Sequence, residues 1–599
     1  MAETKKFLSG NEAIAHGAYK AGCNVAAAYP GTPSTEILET VAKFKDSIYC
    51  EWSVNEKVAM EVVIGASFAG KRALTAMKHV GLNVAADPLM TATFIGVNGG
   101  LVVVTADDPG MHSSQNEQDN RVLARFAKAP LFEPSDSQEA YEMTVEAFDV
   151  SEKYDAPAII RMTTRTSHAS SVVDLGDFTP LPSNGRTYTK DISKTLPVPL
   201  YARLMRVKVE ERTKKLREYS ETCRFNRIEK GSNEIGIVTS GISYQYVKEV
   251  FPEASVLKLG FTNPLPTKMI AEFAKSVKQL YVVEELDPFL EEQIRAMGIK
   301  VEGHETQLHI YELNPQRLRE LRAEIYKEAK PVIPSKGVGE GLPSRPPVLC
   351  AGCGHRGVFY ALNKLKATVT SDIGCYTLGA FKPLDAIDST VCMGASIGNA
   401  HGLEKAGHSN RTAAVLGDST FFHSGMTGLL NVVYNKGTST VVVLDNRITA
   451  MTGHQDNPGT GKTLMCEPTT AVTIEQVAKG IGINRVREVD CYNLKEVEEV
   501  LKEEMDSPEP SVVVAKRPCV LGYKLKVTRQ FVVDTDACRG CRACLKLGCP
   551  ALELGDADPA KPNLRKVKVS PVLCAGCGMC EQVCKYGAIK ENILEEAAR

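Results

Sequence analysis

Two groups of closely spaced cysteines near the carboxyl end of the chain could bind metal. The groups are Cys538-x2-Cys541-x2-Cys544-x4-Cys549 and Cys574-x2-Cys577-x2-Cys580-x3-Cys584. Three thiolates at this spacing wrap around one iron–sulfur cubane, and the fourth ligand comes from the other group. The spacing therefore predicts one [4Fe–4S] cluster on Cys538, Cys541, Cys544 and Cys584, and another on Cys574, Cys577, Cys580 and Cys549. A pair of zinc sites is the alternative, which a three-cysteine run with a remote fourth ligand disfavours.

This cysteine-rich tail resembles a bacterial two-cluster ferredoxin module. Gly540, Gly576 and Gly578 lie between the cysteines, where glycine permits tight turns around a cluster. The tail departs from the family pattern in the four residues before Cys549 and in Lys585, which replaces the usual proline. A ferredoxin module relays electrons and performs no bond chemistry, so the preceding residues must supply an electron donor or acceptor.

A second polar set follows two apolar runs that predict strands. Gly417-Asp418-Ser419 follows the run 412–416, and Asn446 follows the run 440–444, with a predicted helix over 421–435 between them. The carboxyl ends of parallel strands are where such sheets bind ligands, and Mg²⁺ prefers oxygen ligands. A strand–turn–helix with a capping Asp is the alternative interpretation of this segment.

The same segment resembles the thiamine diphosphate motif GDG…NN, here in the form GDS…DN. The resemblance implies that Mg²⁺ is bound by Asp418, Asn446 and the backbone carbonyl of Ile448. It also implies that Gly417 and Ser419 form the phosphate turn, with the following helix directing its N-terminus at the diphosphate. Ser419 and Asp445 depart from the family pattern.

Thiamine diphosphate enzymes need a second α/β domain whose glutamate hydrogen-bonds the aminopyrimidine and promotes the reactive tautomer. The Asn55–Gly70 segment, with its Ala/Gly spacing, resembles the glutamate helix of such pyrimidine domains. Glu56 is the candidate, with Glu51 and Glu61 as rivals. A surface charge is the alternative for any one of them.

Together these motifs resemble the 2-oxoacid:ferredoxin oxidoreductases over essentially the whole chain. Tyr29-Pro30-Gly31-Thr32-Pro33-Ser34 is similar to their YPxTPS loop, which implies that Thr32 faces the substrate carboxylate. Leu349–His355 is similar to the CPGCG entrance of their pyrophosphate domain, which implies that Gly354 and His355 lie at the cofactor. The CAGCGHR and GDSTFFHSG segments and the fused tail are most similar to the α subunits of the branch acting on indolepyruvate.

The resemblance implies oxidative decarboxylation of aryl 2-oxo acids of the indolepyruvate and phenylpyruvate type to acyl-CoA and CO₂. Electrons would pass through [4Fe–4S] clusters to ferredoxin, with coenzyme A as co-substrate and a smaller β subunit in an α2β2 assembly. Three alternatives stay open. The first is the same chemistry on another 2-oxo acid, namely pyruvate, a branched-chain acid or phenylglyoxylate. The second is a non-oxidative thiamine enzyme, which the ferredoxin tail disfavours. The third is an electron-transfer subunit with a degenerate thiamine site.

Several relatives also bind a third [4Fe–4S] cluster near the thiazolium, and the matching positions are Cys350, Cys353, Cys375 and Cys519. Buried free thiols are the alternative for these four. The histidines that flank cofactor motifs are His355, His423 and His454, and Arg121 is a candidate substrate contact after the polar loop 107–120. Six cysteines have no assigned role: Cys23, Cys50, Cys223, Cys392, Cys466 and Cys491.

Several α/β domains must position these residues. Apolar strand-like runs alternate with helical stretches, which predicts doubly wound parallel sheets before the ferredoxin tail. The predicted domains are a pyrimidine-binding domain (1–180), a connecting segment (181–232), a transketolase-C-like domain (233–330), a Pro/Gly linker (331–347), a pyrophosphate-binding domain (348–530) and the ferredoxin domain (531–599).

Length and charge agree with this organisation. The 599 residues are too many for one hydrophobic core, and 71 Lys and Arg against 72 Asp and Glu exclude a generally basic nucleic-acid binder. The longest apolar runs are far shorter than the roughly 20 residues that span a bilayer. We therefore expect a cytoplasmic protein that binds neither nucleic acid nor membrane, and whose 18 cysteines are thiols or metal ligands.

Overall fold

The computed structural model describes residues 4–182, 185–302, 309–329, 346–408, 410–558 and 561–594. They fold as two compact units, unit one within Met1–Glu340 and unit two within Gly341–Arg599. Most of the predicted linker 331–347 lies outside the described residues.

The described residues of unit one form three sheets and the helices that cover them. Its strands are β1 (Lys5–Ser9), β2 (Val25–Ala28), β3 (Tyr49–Trp52), β4 (Ala73–Lys78), β5 (Leu101–Asp107), β6 (Leu131–Phe132), β7 (Ala158–Thr163), β8 (Ser170–Asp174), β9 (Arg227–Glu229), β10 (Ser232–Ser240), β11 (Ala254–Leu259), β12 (Phe261–Asn263) and β13 (Gln279–Val283). Its helices are α1 (Gly10–Lys20), α2 (Thr35–Val41), α3 (Glu56–Phe68), α4 (His79–Val84), α5 (Ala86–Ile95), α6 (Asn120–Ala127), α7 (Ser137–Tyr154), α8 (Thr164–His168), α9 (Ile192–Thr195), α10 (Pro199–Ser220), α11 (Ser243–Val250), α12 (Thr267–Lys275), α13 (Phe289–Ala296) and α14 (Pro315–Tyr326).

The main sheet of unit one has seven strands in the order β12-β6-β7-β5-β4-β2-β3. All neighbours in it are parallel except the edge pair β12 and β6. A four-stranded sheet has the order β13-β10-β11-β9, and β1 pairs with β8 in a separate antiparallel ribbon. Strand β12 therefore joins the amino-terminal sheet although it follows strands of the four-stranded sheet along the chain.

Unit two contains a six-stranded sheet and the cysteine-rich tail. Its strands are β14 (Thr368–Ser371), β15 (Ser389–Thr390), β16 (Thr412–Gly417), β17 (Thr440–Asp445), β18 (Arg485–Asp490), β19 (Ser511–Lys516), β20 (Arg529–Val533), β21 (Leu552–Asp558), β22 (Lys561–Val569) and β23 (Ile589–Ile593). Its α-helices are α15 (His355–Leu365), α16 (Ala395–Lys405), α17 (Asp418–Thr420), α18 (Met426–Tyr434), α19 (Ile474–Ile481), α20 (Leu494–Met505) and α21 (Met579–Val583).

The six-stranded sheet has the order β15-β14-β16-β17-β19-β18, and every neighbouring pair is parallel. The side chains of β17 are buried along its whole length, as in a strand that is covered on both faces. The predicted helix over 421–435 is interrupted by a π-helical turn at Phe421–Gly425 before α18. In the tail, β20 pairs with β23 and β21 with β22, both antiparallel.

These sheets confirm the predicted α/β class with parallel sheets and a small tail. Val441, Val443 and Val512 belong to the core on one face of the six-stranded sheet, while Val442 and Val513 belong to the core on the other. Among the described residues, no helix is long and apolar enough to cross a membrane.

Candidate active site

The carboxyl ends of β16 and β17 place the predicted metal ligands of unit two side by side. The two strands are parallel neighbours, with Gly417 opposite Leu444 in the register. Asp418 begins the residues after β16, and Asn446 comes directly after β17. The sheet therefore brings a carboxylate and an amide oxygen to one edge, as the sequence pattern predicts.

Asp418 is buried at this edge and has a neutral hydrogen-bond donor. The Nδ2 of Asn457 donates to its Oδ2 at 3.1 Å. Burial, and then repulsion from Asp445, raise the pKa of Asp418 to about 7. A divalent cation would offset both effects, and together with the Asn446 amide oxygen the site offers the hard oxygen donors that Mg²⁺ prefers. The residues present therefore fit a bound Mg²⁺.

The turn after β17 is held by its own side chain. The Oδ1 of Asn446 accepts the backbone N–H of Ile448 at 3.2 Å. The backbone N–H of Cys519, which lies beyond the end of β19, donates to the carbonyl of Asn446 at 3.0 Å. Thr449 reaches back across the edge and donates to Ser419 Oγ at 3.0 Å. The predicted phosphate and metal turns are thus linked by hydrogen bonds.

Gly417 is a glycine because an aromatic ring occupies the place of its side chain. A Cβ at Gly417 would lie 2.8 Å from Cε1 of Tyr376. The hydroxyl of Tyr376 forms hydrogen bonds with the Ile373 carbonyl at 2.9 Å and with Thr420 Oγ1 at 2.8 Å. The Tyr376 ring therefore packs against the turn at Gly417. Neither Tyr376 nor Asn457 was identified from the sequence. The position of Tyr376 beside Cys375 was the available signal.

Unit one brings its own candidates to the carboxyl edge of the seven-stranded sheet. Thr32 lies in the loop after β2, and Glu56 begins α3 just after β3. Asn55 caps this helix by accepting the N–H of Val58 at 2.9 Å. Glu56 is 5% exposed, and a Cβ at Gly81 would lie 2.7 Å from its Oε1. A buried carboxylate at a strand end is the arrangement expected of a group that acts on a bound ligand.

The two rival glutamates have other environments. Glu51 accepts hydrogen bonds from Tyr49 at 2.8 Å and from Ser53 at 2.9 Å. Glu61 is exposed on α3 and forms an ion pair with Lys57. Burial at the edge of the sheet therefore favours Glu56.

Lys78 was not identified from the sequence although it ends β4 at the same edge. Its Nζ donates to the carbonyl of Ser113 at 3.0 Å, and its stem lies against Gly31 in the Thr32 loop. Burial lowers the pKa of Lys78, against the attraction of Asp108 and Glu56. A partly desolvated ammonium at this edge could contact an anionic ligand.

Arg121 is placed differently from the substrate contact that we expect from the sequence. Its side chain is fully buried, and its Nε and Nη2 donate to Asp119 while its Nη1 donates to Glu284 at 2.8 Å. It also donates to the backbone carbonyls of Glu285 and Asp287. These bonds join α6 to the segment after β13, which favours a structural role for Arg121.

The three candidate histidines are all at or near the edge of the six-stranded sheet. His355 begins α15, and burial, then the neighbouring Arg356, lower its pKa to about 4. The Nδ1 of His423 lies 2.6 Å from Ser424 Oγ. His454 lies against Gly522, since a Cβ there would be 3.0 Å from its Cδ2. Because its pKa is lowered to about 4, the His355 imidazole is neutral near pH 7.

The tail brings together the cysteines that the spacing assigns to the first cluster. Cys544 interacts electrostatically with Cys541, Cys584 and Cys538, and burial raises its pKa to about 11. All four line one cavity of about 350 Å³ of space between protein atoms, open solvent included. Gly540 has a φ of 63°, a left-handed conformation that favours glycine.

The other four tail cysteines form a second group. Cys580 interacts with Cys577, Cys549 and Cys574, and burial raises its pKa to about 12. This group lines a cavity of about 390 Å³ between protein atoms, open solvent included, together with Arg356 and Gly352. Each group draws its fourth cysteine from the other half of the repeat, which suits cubanes.

Single-ion sites have a different geometry. Across the described ranges, no three His, Cys, Asp or Glu side chains converge as they would around one metal ion. A cubane spaces its cysteines more widely, because four irons lie between them. The cysteine groups are compatible with this wider spacing.

A third cysteine group lies in the loops at the sheet edge of unit two. Cys375 interacts with Cys350 and Cys519, and burial raises its pKa to about 11. Cys353 interacts with Cys350 and Cys375, and burial raises its pKa to about 12. These are the four positions that the family resemblance implies for a third cluster.

The loop of this third group touches the tail. Gly352, between Cys350 and Cys353, has a φ of 73°, and a Cβ there would lie 2.7 Å from the Cβ of Ala575. Ala575 follows Cys574 directly, so the third group and the second tail group are in van der Waals contact through their loops.

The cysteines without an assigned role differ in exposure. Four of them are buried, namely Cys23, Cys50, Cys223 and Cys491, and two are exposed, namely Cys392 and Cys466. Cys491 lies near the third group, since a Cβ at Gly354 would be 3.3 Å from its sulfur.

Three family profiles match separate parts of the chain. Residues 16–187 match "Pyruvate flavodoxin/ferredoxin oxidoreductase, thiamine diP-bdg", and residues 372–515 match "Thiamine pyrophosphate enzyme, C-terminal TPP binding domain". Residues 567–590 match "4Fe-4S binding domain". The first two matches contain most strands of the seven-stranded and the six-stranded sheet, and the third covers part of the tail.

Curated relatives match nearly the full length. "Indolepyruvate oxidoreductase subunit IorA" of Pyrococcus abyssi is 43% identical over 632 residues, which cover 98% of this chain and 96% of that protein. The protein of the same name from Archaeoglobus fulgidus is 41% identical over 615 residues, covering 98% and 97%.

Among solved structures, a 2-oxoglutarate:ferredoxin oxidoreductase from Magnetococcus marinus aligns with a TM-score of 0.45 and 19% identity. The alignment covers 54% of this chain and 65% of that chain. The full-length identities and the profiles establish a thiamine diphosphate and [4Fe–4S] enzyme subunit. The chain belongs to the IorA family of indolepyruvate oxidoreductase subunits, within the 2-oxoacid:ferredoxin oxidoreductases.

Proposed function

We propose that this chain oxidatively decarboxylates aryl 2-oxo acids, indolepyruvate and phenylpyruvate among them, to acyl-CoA and CO₂. Ferredoxin is the electron acceptor, and coenzyme A is the co-substrate. The aryl substrate is supported by the relatives, which are named indolepyruvate oxidoreductase subunits. The observation that carries the redox reaction is the hydrogen bond from Cys519 to Asn446, because it joins a cysteine group to the predicted cofactor turn.

The proposed contacts of thiamine diphosphate and its Mg²⁺ follow from the resemblance of the two motifs. Asp418, Asn446 and the carbonyl of Ile448 would hold Mg²⁺, and Gly417 and Ser419 would contact the diphosphate. Glu56 would hold the proton of the aminopyrimidine. When bound, thiamine diphosphate supplies the electron sink that makes decarboxylation possible.

Two further groups are proposed to orient substrate and cofactor. Thr32 would donate a hydrogen bond to the substrate carboxylate, as the resemblance of its loop implies. Gly354 and His355 would line the cofactor, with His355 neutral because burial lowers its pKa to about 4. A neutral imidazole can donate or accept one hydrogen bond without adding charge.

The proposed electron carriers are three [4Fe–4S] clusters. Cys350, Cys353, Cys375 and Cys519 would hold the one nearest the cofactor turn. The Gly352–Ala575 contact supports transfer from there to the cluster on Cys574, Cys577, Cys580 and Cys549. The cluster on Cys538, Cys541, Cys544 and Cys584 would then deliver electrons to ferredoxin.

The relatives are named as one subunit of an enzyme, which supports a second, smaller subunit. We propose an α2β2 assembly with that subunit. Its mass in solution would be measured by light scattering on the co-expressed pair, and an αβ mass would contradict the proposed stoichiometry.

The decisive experiment is anaerobic viologen reduction by the chain co-expressed with its partner subunit. Indolepyruvate, phenylpyruvate and pyruvate are compared, each with and without coenzyme A. We expect coenzyme-A-dependent reduction that favours the two aryl acids. If pyruvate were the only acid that supports reduction, the reaction type would stand and the aryl substrate would be rejected. If none of the three acids supported reduction, the proposed function would be overturned.

The second candidate is an electron-transfer subunit with a degenerate thiamine site. Asp445 favours it, because a second acid beside Asp418 departs from the family pattern. The amount of thiamine released on denaturation of wild type and of Asp418→Asn distinguishes a catalytic subunit from an electron-transfer subunit. We expect wild type to retain thiamine and Asp418→Asn to lose it, with Asp506→Asn, an exposed aspartate paired with Arg411, as the matched control.

A further inference from the structure

Arg356 is a buried cation in the region between two cysteine groups. Its side chain is 1% exposed. Its Nη2 donates to the carbonyl of Leu349 at 2.5 Å and to that of Cys350 at 2.9 Å, and its Nη1 donates to the carbonyl of Leu547 at 2.8 Å. Within the described part of the chain, these partners are all backbone carbonyls, and its Nε has none.

Those carbonyls belong to the loops of two different cysteine groups. Cys350 is a member of the third group, and Leu547 comes two residues before Cys549 of the second tail group. Arg356 also lines the cavity that Cys549, Cys574, Cys577 and Cys580 surround.

A guanidinium withdrawn from water without a carboxylate partner is costly. The cavity that Arg356 lines is also lined by four cysteines, Cys549, Cys574, Cys577 and Cys580. Cysteines that ligate iron are thiolates, and a [4Fe–4S] cluster gains a further negative charge when it is reduced. The desolvated charge is therefore compensated only when clusters are bound.

We propose that Arg356 is a shared counter-ion of the second tail cluster and the third cluster, and that it raises the reduction potential of both. It is a positioning and electrostatic residue that contacts no substrate. The inference rests on the cluster assignment of the proposed function. A positive charge stabilises the more negative, reduced cluster, so its loss makes each cluster harder to reduce.

The test is a mediated redox titration of the co-expressed enzyme under argon, followed by electron paramagnetic resonance, with no 2-oxo acid present. Arg356→Gln removes the charge, and Arg356→Lys keeps it while losing the forked hydrogen bonds. Arg411→Gln is the control, because Arg411 is a partly exposed arginine of the same unit paired with Asp506.

In Arg356→Gln we expect the reduction equilibrium of these two clusters to fall about tenfold, which is about 59 mV for one electron. The cluster on Cys538, Cys541, Cys544 and Cys584 should keep its potential, because Arg356 is not among the residues that line the cavity of these four cysteines. Arg356→Lys and Arg411→Gln should match wild type.

Equal shifts in Arg356→Gln and Arg356→Lys, or unchanged potentials in Arg356→Gln, would overturn the proposal. Iron loss in Arg356→Gln alone would support it, because the charge would then be needed for cluster binding itself. Iron loss in both variants would overturn it, because the hydrogen bonds would be decisive. Inactivity on 2-oxo acids would remove the proposed substrate without changing these potentials, whereas wild type with only about eight irons would lack the third cluster and overturn the shared counter-ion.

Discussion

The backbone N–H of Cys519 donates to the carbonyl of Asn446 at 3.0 Å, across the ends of two adjacent parallel strands. One residue is a proposed cluster ligand and the other a proposed Mg²⁺ ligand. The bond fixes the cysteine loop to the cofactor turn independently of any bound group. A rearrangement of the Asn446 turn must therefore displace the Cys519 loop, and the reverse also holds.

Glu56 is expected to be needed for the reaction rather than for cofactor binding. Glu56→Gln should lower kcat by about 10²- to 10⁴-fold, because a positioned proton-transfer group contributes that much. Thiamine content should stay within a few-fold of wild type. Viologen reduction measures the first quantity and thiamine release the second.

Glu61→Gln provides the matched control, because Glu61 lies on the same helix and is exposed. It should leave kcat unchanged. Loss of activity in Glu51→Gln with retention in Glu56→Gln would transfer the role to Glu51.

Iron content should separate the third cluster from buried thiols. Cys375→Ser and Cys519→Ser should each lose about four irons per chain and retain about eight, because each removes one ligand of a single cubane. Cys491→Ala, a buried cysteine beside the third group, should retain the wild-type content. Wild type with only about eight irons would contradict the third cluster.

Gly417→Ala should weaken cofactor binding through Tyr376. The new Cβ would lie 2.8 Å from the ring, so the ring must move and its bond to Thr420 is lost. We expect a destabilisation of about 1–3 kcal/mol and a higher concentration of thiamine diphosphate for half-maximal activity. Thermal unfolding and cofactor titration measure these effects.

Gly402→Ala is the control for that substitution. Gly402 lies inside α16 with nothing within 4 Å of its Cβ position, so alanine should stabilise the helix by about 0.4–1 kcal/mol. The steric role of Tyr376 would be refuted if Gly417→Ala were as stable as Gly402→Ala and needed the same thiamine diphosphate concentration as wild type for half-maximal activity.

Glu285 should make the stability of unit one depend on pH. Burial raises its pKa to about 7, against the attraction of Arg161, while its Oε1 accepts the N–H of Leu313 at 2.9 Å. The folded-state pKa is above the unfolded value near 4.5, so its stabilising effect is complete below about pH 4.5. It is lost as pH rises to 7, at a cost of about 3 kcal/mol.

Glu285→Gln should remove that loss, because the amide keeps the acceptor without ionising. Between pH 4.5 and 8, the melting temperature of Glu285→Gln should rise relative to that of wild type as pH increases. Glu292→Gln, an exposed neighbour on α13, should follow wild type throughout. Parallel curves for Glu285→Gln and wild type would contradict the expected ionisation.

The strand ends that carry the candidate site could be predicted because both periodicity and composition point to them. Residues 441–444 are an unbroken apolar run, and such a run in an α/β chain forms a strand buried on both faces. Polar residues directly after it then have to lie at the carboxyl edge. The same argument applies to Asp418, whereas Glu56 was identified from the resemblance of its helix to the glutamate helix of pyrimidine domains.

Contacts between distant residues could not be predicted in this way. Asn457 reaches Asp418 from a loop without periodicity, 39 positions along the chain. Arg121 appeared available for substrate because it follows a polar loop, but it is buried against Glu284, which is 163 positions away. Strand β12 extends the seven-stranded sheet from beyond the predicted domain boundary, since register depends on a partner strand that local sequence does not reveal.

The close approach at Gly352 has a consequence for turnover. Because the loop between Cys350 and Cys353 packs directly on the loop after Cys574, the tail is seated on its own unit and need not swing between donor and acceptor. Electrons would cross a fixed distance between the two cysteine groups. The internal transfer rate should therefore be independent of solvent viscosity, whereas encounter with ferredoxin should slow as viscosity rises.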